Sequence, residues 1–198
     1  AEGRLRGGLV ILQEIFGVTE QLKKVGRRYA AQGYTVAIPA LFDRQRPGTV
    51  VPFAEPALGR DLMMSASVEG AMADTAAALQ ARGAGNVAVI GFCWGGGLAL
   101  RAAQGLDLAC ALSFYGTKLP AYLDRPLAHA IQGHFGLTDD HTPPAVLEQV
   151  KAVLPDFEMF LYEAGDAFAN DARPPVHMPE AADLAHRRTA EFLARHLA

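Results

Sequence analysis

The fold is decided by the stretch Val87-Ala88-Val89-Ile90-Gly91-Phe92-Cys93-Trp94-Gly95-Gly96-Gly97. Four apolar residues lead into the first glycine, and an Ala- and Leu-rich helical pattern follows the last one. This pattern predicts a strand, a tight turn and a helix, with Cys93 at the apex of the turn. A residue at such an apex has a strained backbone, so its neighbours need to be glycine to avoid clashes of a Cβ atom. The positive dipole end of the helix then favours a thiolate or an oxyanion at the sulfur.

The arrangement Gly-x-Cys-x-Gly resembles the nucleophile elbow of α/β-hydrolases, which is more often written with serine. The alternative is a small buried cysteine that only fills the junction between a strand and a helix. Because both glycines stand at the elbow spacing, we take Cys93 as the candidate nucleophile.

Length and composition narrow the class of protein. With 198 residues, of which 51% are hydrophobic and 20% charged, the chain is expected to form one domain over 1–198. The formal net charge of −3 argues against nucleic acid or an anionic membrane as a partner. No apolar run has the length of a membrane span. Two cysteines, Cys93 and Cys110, do not make a disulfide framework, so we expect a cytoplasmic protein with reduced thiols.

Short apolar strands alternate with amphipathic helices along the chain. Strands are predicted at 8–13, 34–38, directly before the elbow, and at 106–114, 128–135 and 157–162. Helices are predicted from Thr19 to Gly33, from 58 or 63 to 81, after the elbow, from an N-cap at Thr142, and over 180–197. The segment 163–179 is predicted to be a lid loop. This alternation predicts an α/β fold with a mainly parallel sheet flanked by helices on both faces.

Residues that carry chemistry should follow the strands, because ligands of such sheets bind beyond the carboxyl ends of the strands. Five residues with reactive or polar side chains do follow predicted strands, namely Glu14, Cys93, Tyr115, Asp139 and Asp166.

Several further motifs resemble the dienelactone hydrolase family of α/β-hydrolases. They are Gln13-Glu14-Ile15-Phe16-Gly17-Val18, Leu41-Phe42-Asp43-Arg44-Gln45, the elbow itself, Tyr115-Gly116, Phe135-Gly136-Leu137-Thr138-Asp139 and Ala164-Gly165-Asp166-Ala167-Phe168. They occur in the family's order over nearly the whole chain. The resemblance implies an α/β-hydrolase fold. The family usually begins with extra N-terminal strands, and we expect these strands to be missing here.

The resemblance also implies a catalytic triad. In the family, a Cys nucleophile works with Asp and His and opens lactones or cleaves esters through an acyl-enzyme. Cys93 matches the nucleophile and Asp139 matches the acid, with Asp140 as the adjacent alternative. Without the resemblance, Asp139 would be interpreted as a turn or capping residue. No cofactor and no metal ion is expected.

Three further roles follow from the same resemblance. The backbone N–H groups of Ile15 and Trp94 would form the oxyanion hole, where donors stabilise the charge that develops on the substrate. Glu14 would contact the resting thiol and switch away when substrate arrives. The alternative for Glu14 is a solvated carboxylate at the rim of the sheet.

Asp166 departs from the family pattern, which has the catalytic His in an Ala-Gly-His-x-Phe turn. Aspartate, with a reference pKa near 3.9, is a poor base for a thiol near 8.5, and its charge disfavours a thiolate. We therefore predict impaired activity. Three histidines remain as alternative bases, namely His134, His141 and His177, whereas those of the last helix, His186 and His196, are expected at the surface.

The substrate pocket is less well defined by the sequence. Family members that open dienelactone carry an Arg four residues after the His, and Asn170 stands at that position. Arg60 is the candidate for contact with a substrate carboxylate. The aromatic residues expected to line a small apolar pocket are Phe16, Phe42, Trp94 and Tyr115.

Taken together, these features predict a hydrolase of small esters or lactones that is a monomer or a small homo-oligomer. The first alternative is a non-catalytic relative that binds a small carbonyl ligand or a partner. The second is a redox-sensing thiol, which is disfavoured because no resolving cysteine lies near Cys93 in the sequence.

Overall fold

A computed structural model describes residues 5–83 and 85–197 of the chain. The strands are β1 (Gly7–Leu12), β2 (Tyr34–Ala37), β3 (Val87–Phe92), β4 (Cys110–Phe114), β5 (Ile131–Gly136) and β6 (Glu158–Tyr162). The helices are α1 (Glu20–Ala30), α2 (Pro56–Ser65), α3 (Val68–Ala81), α4 (Trp94–Ala103), α5 (Pro144–Val153) and α6 (Pro179–His196). A short 3₁₀ helix covers Leu119–Tyr122. Within the described residues β1 is the first strand.

The strands form one parallel sheet in the order β2-β1-β3-β4-β5-β6. From β1 the chain adds β2 on one side of the sheet, and then adds β3 to β6 in succession on the other side. The direction in which strands are added therefore reverses between β1 and β3. Ligands of open parallel sheets bind at the carboxyl ends of the strands at such a reversal. The loops after β1 and β3 carry Glu14, Ile15 and Cys93, so the topology places these predicted site residues side by side.

Helices cover both faces of the sheet, as the sequence predicts. Side chains of β3 alternate between the two faces, with Val87 and Val89 on one and Ala88 and Ile90 on the other. The first face packs against α3, α4 and α5, and the second packs against α1 and α6. All six residues of β3 are buried. This burial on both faces explains why the strand is continuously apolar rather than alternating.

The Ala-rich helix predicted up to residue 81 is wrong, because the structure has two helices, α2 and α3. Ala66 is extended between them, with ψ of 134°. Ser67 then starts α3, since its Oγ accepts a hydrogen bond from the backbone N–H of Gly70 at 3.0 Å. A serine that caps a new helix offers the backbone an alternative to helical continuation. The sequence analysis missed this local signal.

Two other boundaries differ from the predictions. Thr142 does not cap α5, because its hydroxyl donates to the Gly116 carbonyl at 2.8 Å and Pro143 occupies the N-cap position. The strand predicted from 106 begins only at Cys110, because the backbone N–H of Leu106 still donates to Ala102 at the end of α4. Apolar residues at the end of a buried helix cannot be told from a buried strand by periodicity alone.

His186 is 8% exposed and is not the surface residue that was predicted. The Tyr29 hydroxyl lies 3.1 Å from His186 Nδ1, between α1 and α6. His134 is also buried, with Nδ1 2.8 Å from the Tyr162 hydroxyl and Nε2 3.1 Å from Thr189 Oγ1. Burial, followed by nearby positive charge, lowers the pKa of His134 to about 3 and that of His186 to about 4.

These depressed pKa values predict a pH-dependent stability. An unfolded histidine binds a proton near pH 6.5, whereas the folded protein keeps His186 neutral down to about pH 4. The contribution of His186 to the free energy of unfolding is therefore fully present above pH 6.5 and is lost as the pH falls toward 4. Urea unfolding of His186→Gln should lose less stability than the unmodified chain between about pH 7 and about pH 5, by roughly 1–2 kcal/mol. Equal losses in the two proteins would contradict this assignment.

Candidate active site

The turn between β3 and α4 holds Cys93 in a strained conformation, with φ of 53° and ψ of −115°. Backbone hydrogen bonds hold it there: its N–H donates to the Phe114 carbonyl at 3.0 Å, and its carbonyl accepts from the N–H groups of Gly96 at 2.9 Å, Gly97 at 3.3 Å and Thr117 at 3.1 Å. A Cβ atom at Gly91 would lie 1.8 Å from the Gly95 carbonyl oxygen, so only glycine fits. The strained backbone and the close approach agree with the elbow geometry that the sequence predicts.

The loop after β1 is hydrogen-bonded to the elbow. The Gly95 N–H donates to the Gln13 carbonyl at 3.1 Å. The Gln13 side chain in turn accepts from the Leu41 N–H at 3.0 Å, which ties the next loop to the same point. On the other side, α2 packs so closely that a Cβ atom at Gly59 would lie 2.3 Å from the Ile15 carbonyl oxygen. Ile15 is therefore held between the elbow and α2.

Cys93 opens into a cavity of about 500 Å³ at this end of the sheet. The cavity combines an apolar wall with charged groups of both signs. Its lining residues are Glu14, Ile15, Phe16, Pro56, Arg60, Met63, Cys93, Thr117, Lys118, Pro120, His141, Val146, Asp166 and Arg173. A reactive side chain in a mixed cavity of this size is typical of a small-molecule site.

Glu14 is 7% exposed and accepts two hydrogen bonds from buried side chains. The Tyr115 hydroxyl donates to Oε1 at 3.1 Å and Asn170 Nδ2 donates to Oε2 at 3.0 Å. Burial is the largest cause that raises the pKa of Glu14 to about 7, and the charge of Asp166 adds to it. Arg173 and the two hydrogen bonds act in the opposite direction. Near neutral pH Glu14 is therefore present in both protonation states, unlike a solvated carboxylate at the rim.

Burial raises the pKa of the Cys93 thiol well above its usual range. The carboxylates of Asp166, Glu14 and Asp139 raise it further, whereas a hydrogen bond from the Trp94 backbone N–H lowers it. The resting site therefore holds a neutral thiol rather than a thiolate. A Cys nucleophile in this state is slow, because the thiolate is the reactive form.

Brief alkylation with iodoacetamide should modify Cys93 and not Cys110. Cys93 lines the cavity, whereas Cys110 is 0% exposed in β4, and burial raises the pKa of its thiol to about 12. Labelling of Cys93 should be slow at about pH 7 and faster above about pH 8, as the thiolate fraction grows. Peptide mass mapping checks this, and preferential labelling of Cys110 would contradict the elbow assignment.

Asp139 and Asp166 each have a carboxylate oxygen without a hydrogen-bond partner, Oδ2 and Oδ1 respectively. Asp139 is 2% exposed, and its Oδ1 accepts from the backbone N–H of His141 at 2.8 Å. Burial raises the pKa of Asp166, and the charge of Asp139 raises it further, so the two carboxyl groups lie close enough to interact. Asp140 is exposed, which favours Asp139 as the acid of the site.

The three alternative histidines lie in different surroundings. His134 is buried under α6, and His177 lies 3.0 Å from the Phe168 carbonyl and lines a different cavity with Asp171. His141 lines the cavity of Cys93. Asp139 Oδ2 has no hydrogen-bond partner among the described residues. None of their histidine side chains therefore donates a hydrogen bond to this oxygen, as the histidine of a catalytic triad would.

Some predicted substrate contacts lie elsewhere. Tyr115 is 1% exposed and does not line the cavity, so it positions Glu14 rather than touching substrate. Phe42 stacks on Trp94 in the core, with ring centroids 5.4 Å apart. Phe16 and Arg60 do line the cavity, as expected.

Asn170 and the residues before it are not part of a lid. Ala167, Phe168, Ala169 and Asn170 are at most 6% exposed and pack into the core. The prediction of a lid over the whole segment 163–179 is therefore wrong for residues 167–170. The apolar run Ala-Phe-Ala within that segment was the signal that indicated burial.

Arg173 is a charged residue of the cavity that was not predicted, and it lies three residues after the position of the absent family arginine. Its guanidinium group lies 5.5 Å from the centre of the Phe16 ring and 4.0 Å from Asp166 Oδ2. It therefore supplies positive charge to the cavity. No motif marks Arg173, because a loop can bring an arginine to the same space from more than one position.

Within 5–83 and 85–197, no helix is long and apolar enough to cross a membrane. The same residues contain no group of three or more His, Cys, Asp or Glu side chains that could hold a metal ion.

The parallel sheet with helices on both faces and a strained turn at Cys93 has the architecture of an α/β-hydrolase. A family model for the dienelactone hydrolase family matches residues 4–197. The chain therefore belongs to the dienelactone hydrolase family.

Individual relatives support this assignment. The chain is 34% identical over 206 residues to a carboxymethylenebutenolidase of Pseudomonas sp. strain P51, covering 97% of this chain and 86% of that protein. It is 30% identical over 201 residues to the carboxymethylenebutenolidase of Pseudomonas putida, covering 94% and 84% of the two chains. A crystal structure of a candidate dienelactone hydrolase from Klebsiella pneumoniae superposes with a TM-score of 0.82 at 28% identity, covering 98% of this chain and 88% of the other.

Proposed function

We propose that the chain hydrolyses small esters or lactones through an acyl-enzyme on Cys93, at a rate limited by the aspartate at position 166. The observation that carries this proposal is the strained elbow, which presents Cys93 to a cavity at the start of α4 with Ile15 on the neighbouring loop. Membership of a hydrolase family gives the reaction class. The residue roles are those that the resemblance to the family implies, and the geometry of the site supports them.

In the first half of the reaction, the Cys93 sulfur attacks the carbonyl carbon of the ester or lactone and loses its proton. Glu14, with a pKa of about 7, is a group of the cavity that can accept this proton near neutral pH. The oxyanion that forms accepts hydrogen bonds from the Ile15 and Trp94 N–H groups at the elbow. The carbon–oxygen bond then breaks, and the leaving alkoxide takes up the proton that Glu14 accepted, so that Glu14 returns to its carboxylate form. An alcohol leaves from an ester, whereas a lactone keeps its new hydroxyl on the acyl group.

In the second half, water attacks the thioester carbon, the carbon–sulfur bond breaks, and the acid product leaves the regenerated thiol. This step needs a base that removes a proton from water. In the family pattern that base is a histidine oriented by the acid. Here the position of that histidine is occupied by Asp166, whose carboxyl group interacts with that of Asp139. The two carboxylates repel the negative charge that develops at the sulfur and at the oxyanion. We therefore expect slow turnover.

The second candidate function is binding of a small carbonyl ligand without turnover. Two observations favour it: the raised pKa of the Cys93 thiol and the partnerless oxygens of Asp139 and Asp166. In this alternative the ligand binds in the cavity of Cys93 and is not hydrolysed.

Hydrolysis of p-nitrophenyl acetate separates the two functions. The chain should release p-nitrophenol faster than buffer alone, Cys93→Ala should abolish this excess, and the matched control Cys110→Ala should retain it. Equal rates for the chain and Cys93→Ala would contradict the proposed hydrolysis and leave ligand binding as the function.

A further inference from the structure

A second cavity of about 470 Å³ lies beside the cavity of Cys93. The two cavities share Met63 and Lys118 in their walls, so they meet at these two side chains. The remaining lining residues of the second cavity are Ala66, Val68, Glu69, Met72, Trp94, Arg101, Ala121, Tyr122 and Arg125. Cys93 itself lines only the first cavity, so a ligand that reaches from the sulfur into the second cavity has to pass Met63 and Lys118.

The wall of the second cavity is apolar with a positively charged border. Met72, Trp94 and Tyr122 provide flexible and aromatic surface that suits a hydrocarbon chain. The Arg101 guanidinium lies 4.9 Å from the centre of the Tyr122 ring and is 13% exposed. It is therefore fixed against an aromatic face rather than extended into solvent.

The border carries more positive than negative charge. Three cations, Arg101, Lys118 and Arg125, lie in the wall together with one carboxylate, Glu69. Asp124 pairs with both arginines, at 2.8 Å and 3.3 Å. No ion pair between described residues includes Lys118. The three cations therefore exceed the two carboxylates, Glu69 and Asp124, by one positive charge. A negative group on a ligand is therefore favoured here.

We propose that the second cavity binds the distal part of the substrate, an apolar chain that ends in a carboxylate or a similar anion. The inference rests on the proposed function, because it extends the substrate from the thiol of Cys93 past Met63 into this cavity. It selects longer, negatively terminated acyl groups over acetyl-sized ones.

Trp94 is the single tryptophan of the chain and lines the second cavity, so its fluorescence reports a ligand there. The experiment uses Cys93→Ala, which cannot form an acyl-enzyme, and titrates it with octanoate, octanol and acetate. Octanoate should give a saturable change, octanol a weaker one, and acetate none. Absence of a saturable change with octanoate, or equal binding of octanol, would overturn the proposal.

Three arginine variants in the Cys93→Ala background locate the binding site. Arg125→Ala should weaken octanoate binding by about two- to fivefold, the size expected from one solvent-exposed ion pair. Arg187→Ala, an exposed arginine on α6 at the other face of the sheet, should leave it unchanged. A loss with Arg60→Ala but not with Arg125→Ala would place the ligand in the first cavity and overturn the proposal. Because the readout is binding, this outcome is distinct from a failure of hydrolysis.

Discussion

Asp166→His should raise the rate of ester hydrolysis by about 10²–10⁴-fold, the usual contribution of general acid–base catalysis. Asp166 interacts with Asp139, and Asp139 Oδ2 has no hydrogen-bond partner. An imidazole at position 166 would place a base with a pKa near 6.5 beside the sulfur and give this oxygen a donor to accept from. It would also replace a negative charge, one cause of the raised pKa of the Cys93 thiol, with a group that pairs with a thiolate.

Two controls separate the new base from the loss of charge. Asp166→Asn removes the carboxylate without adding a base, so it should speed alkylation of Cys93 but recover little hydrolysis. Asp166→His combined with Cys93→Ala should be inactive. A single variant Asp166→His that is no faster than the unmodified chain would show that position 166 does not face the sulfur or that another group, such as His141, already serves as the base.

Gly91→Ala should destabilise the protein by more than about 4 kcal/mol, because the added methyl group would overpack buried backbone atoms. The added Cβ atom would lie 1.8 Å from the Gly95 carbonyl oxygen and 2.7 Å from the Gly96 backbone nitrogen. These atoms belong to the first turn of α4, which cannot move away without displacing Cys93 and breaking the hydrogen bond from Gly95 to Gln13. Urea unfolding measures the effect.

Gly105→Ala is the matched control for Gly91→Ala. Gly105 lies at the other end of α4 in open space, with no heavy atom within 4 Å of an added Cβ atom. This variant should have a free energy of unfolding within about 1 kcal/mol of the unmodified chain. Similar stabilities for both variants would mean that the turn at Gly91 is looser than the structure indicates.

The parallel sheet and the elbow could be predicted because their sequence signals are local. Glycine at 91 is required by contacts with Gly95 and Gly96, within a few residues of Cys93, and β3, which leads into the elbow, contains no polar side chain. The break between α2 and α3 is also local, but one serine before an Ala-rich segment is a weak signal against strong helical propensity.

The remaining features of the site depend on contacts between distant parts of the chain. Glu14 is held by Tyr115 and Asn170, which lie 101 and 156 residues away in sequence. Its pKa of about 7 results from this burial, and composition and spacing carry no information about it. Asn170 replaces the family arginine at that position and binds Glu14, while Arg173 brings positive charge to the cavity by another route.

The burial of His186 has the same origin. Its side chain meets Tyr29 from a helix 157 residues earlier in the sequence. On α6 alone, a histidine next to Arg187 and Arg188 is expected on the exposed face. The docking of α6 against α1 and the sheet determines which side of the helix is covered, and this docking is a tertiary property.

Trapping of the acyl-enzyme shows whether Cys93 carries the acyl group. The chain is mixed with p-nitrophenyl acetate, quenched in acid within the first turnover, and digested for peptide mass mapping. We expect one acetyl group on the peptide that contains Cys93, and none on that peptide in Cys93→Ala. Acetylation of Lys118 or Cys110 instead, or release of p-nitrophenol at the same rate from Cys93→Ala, would contradict this expectation.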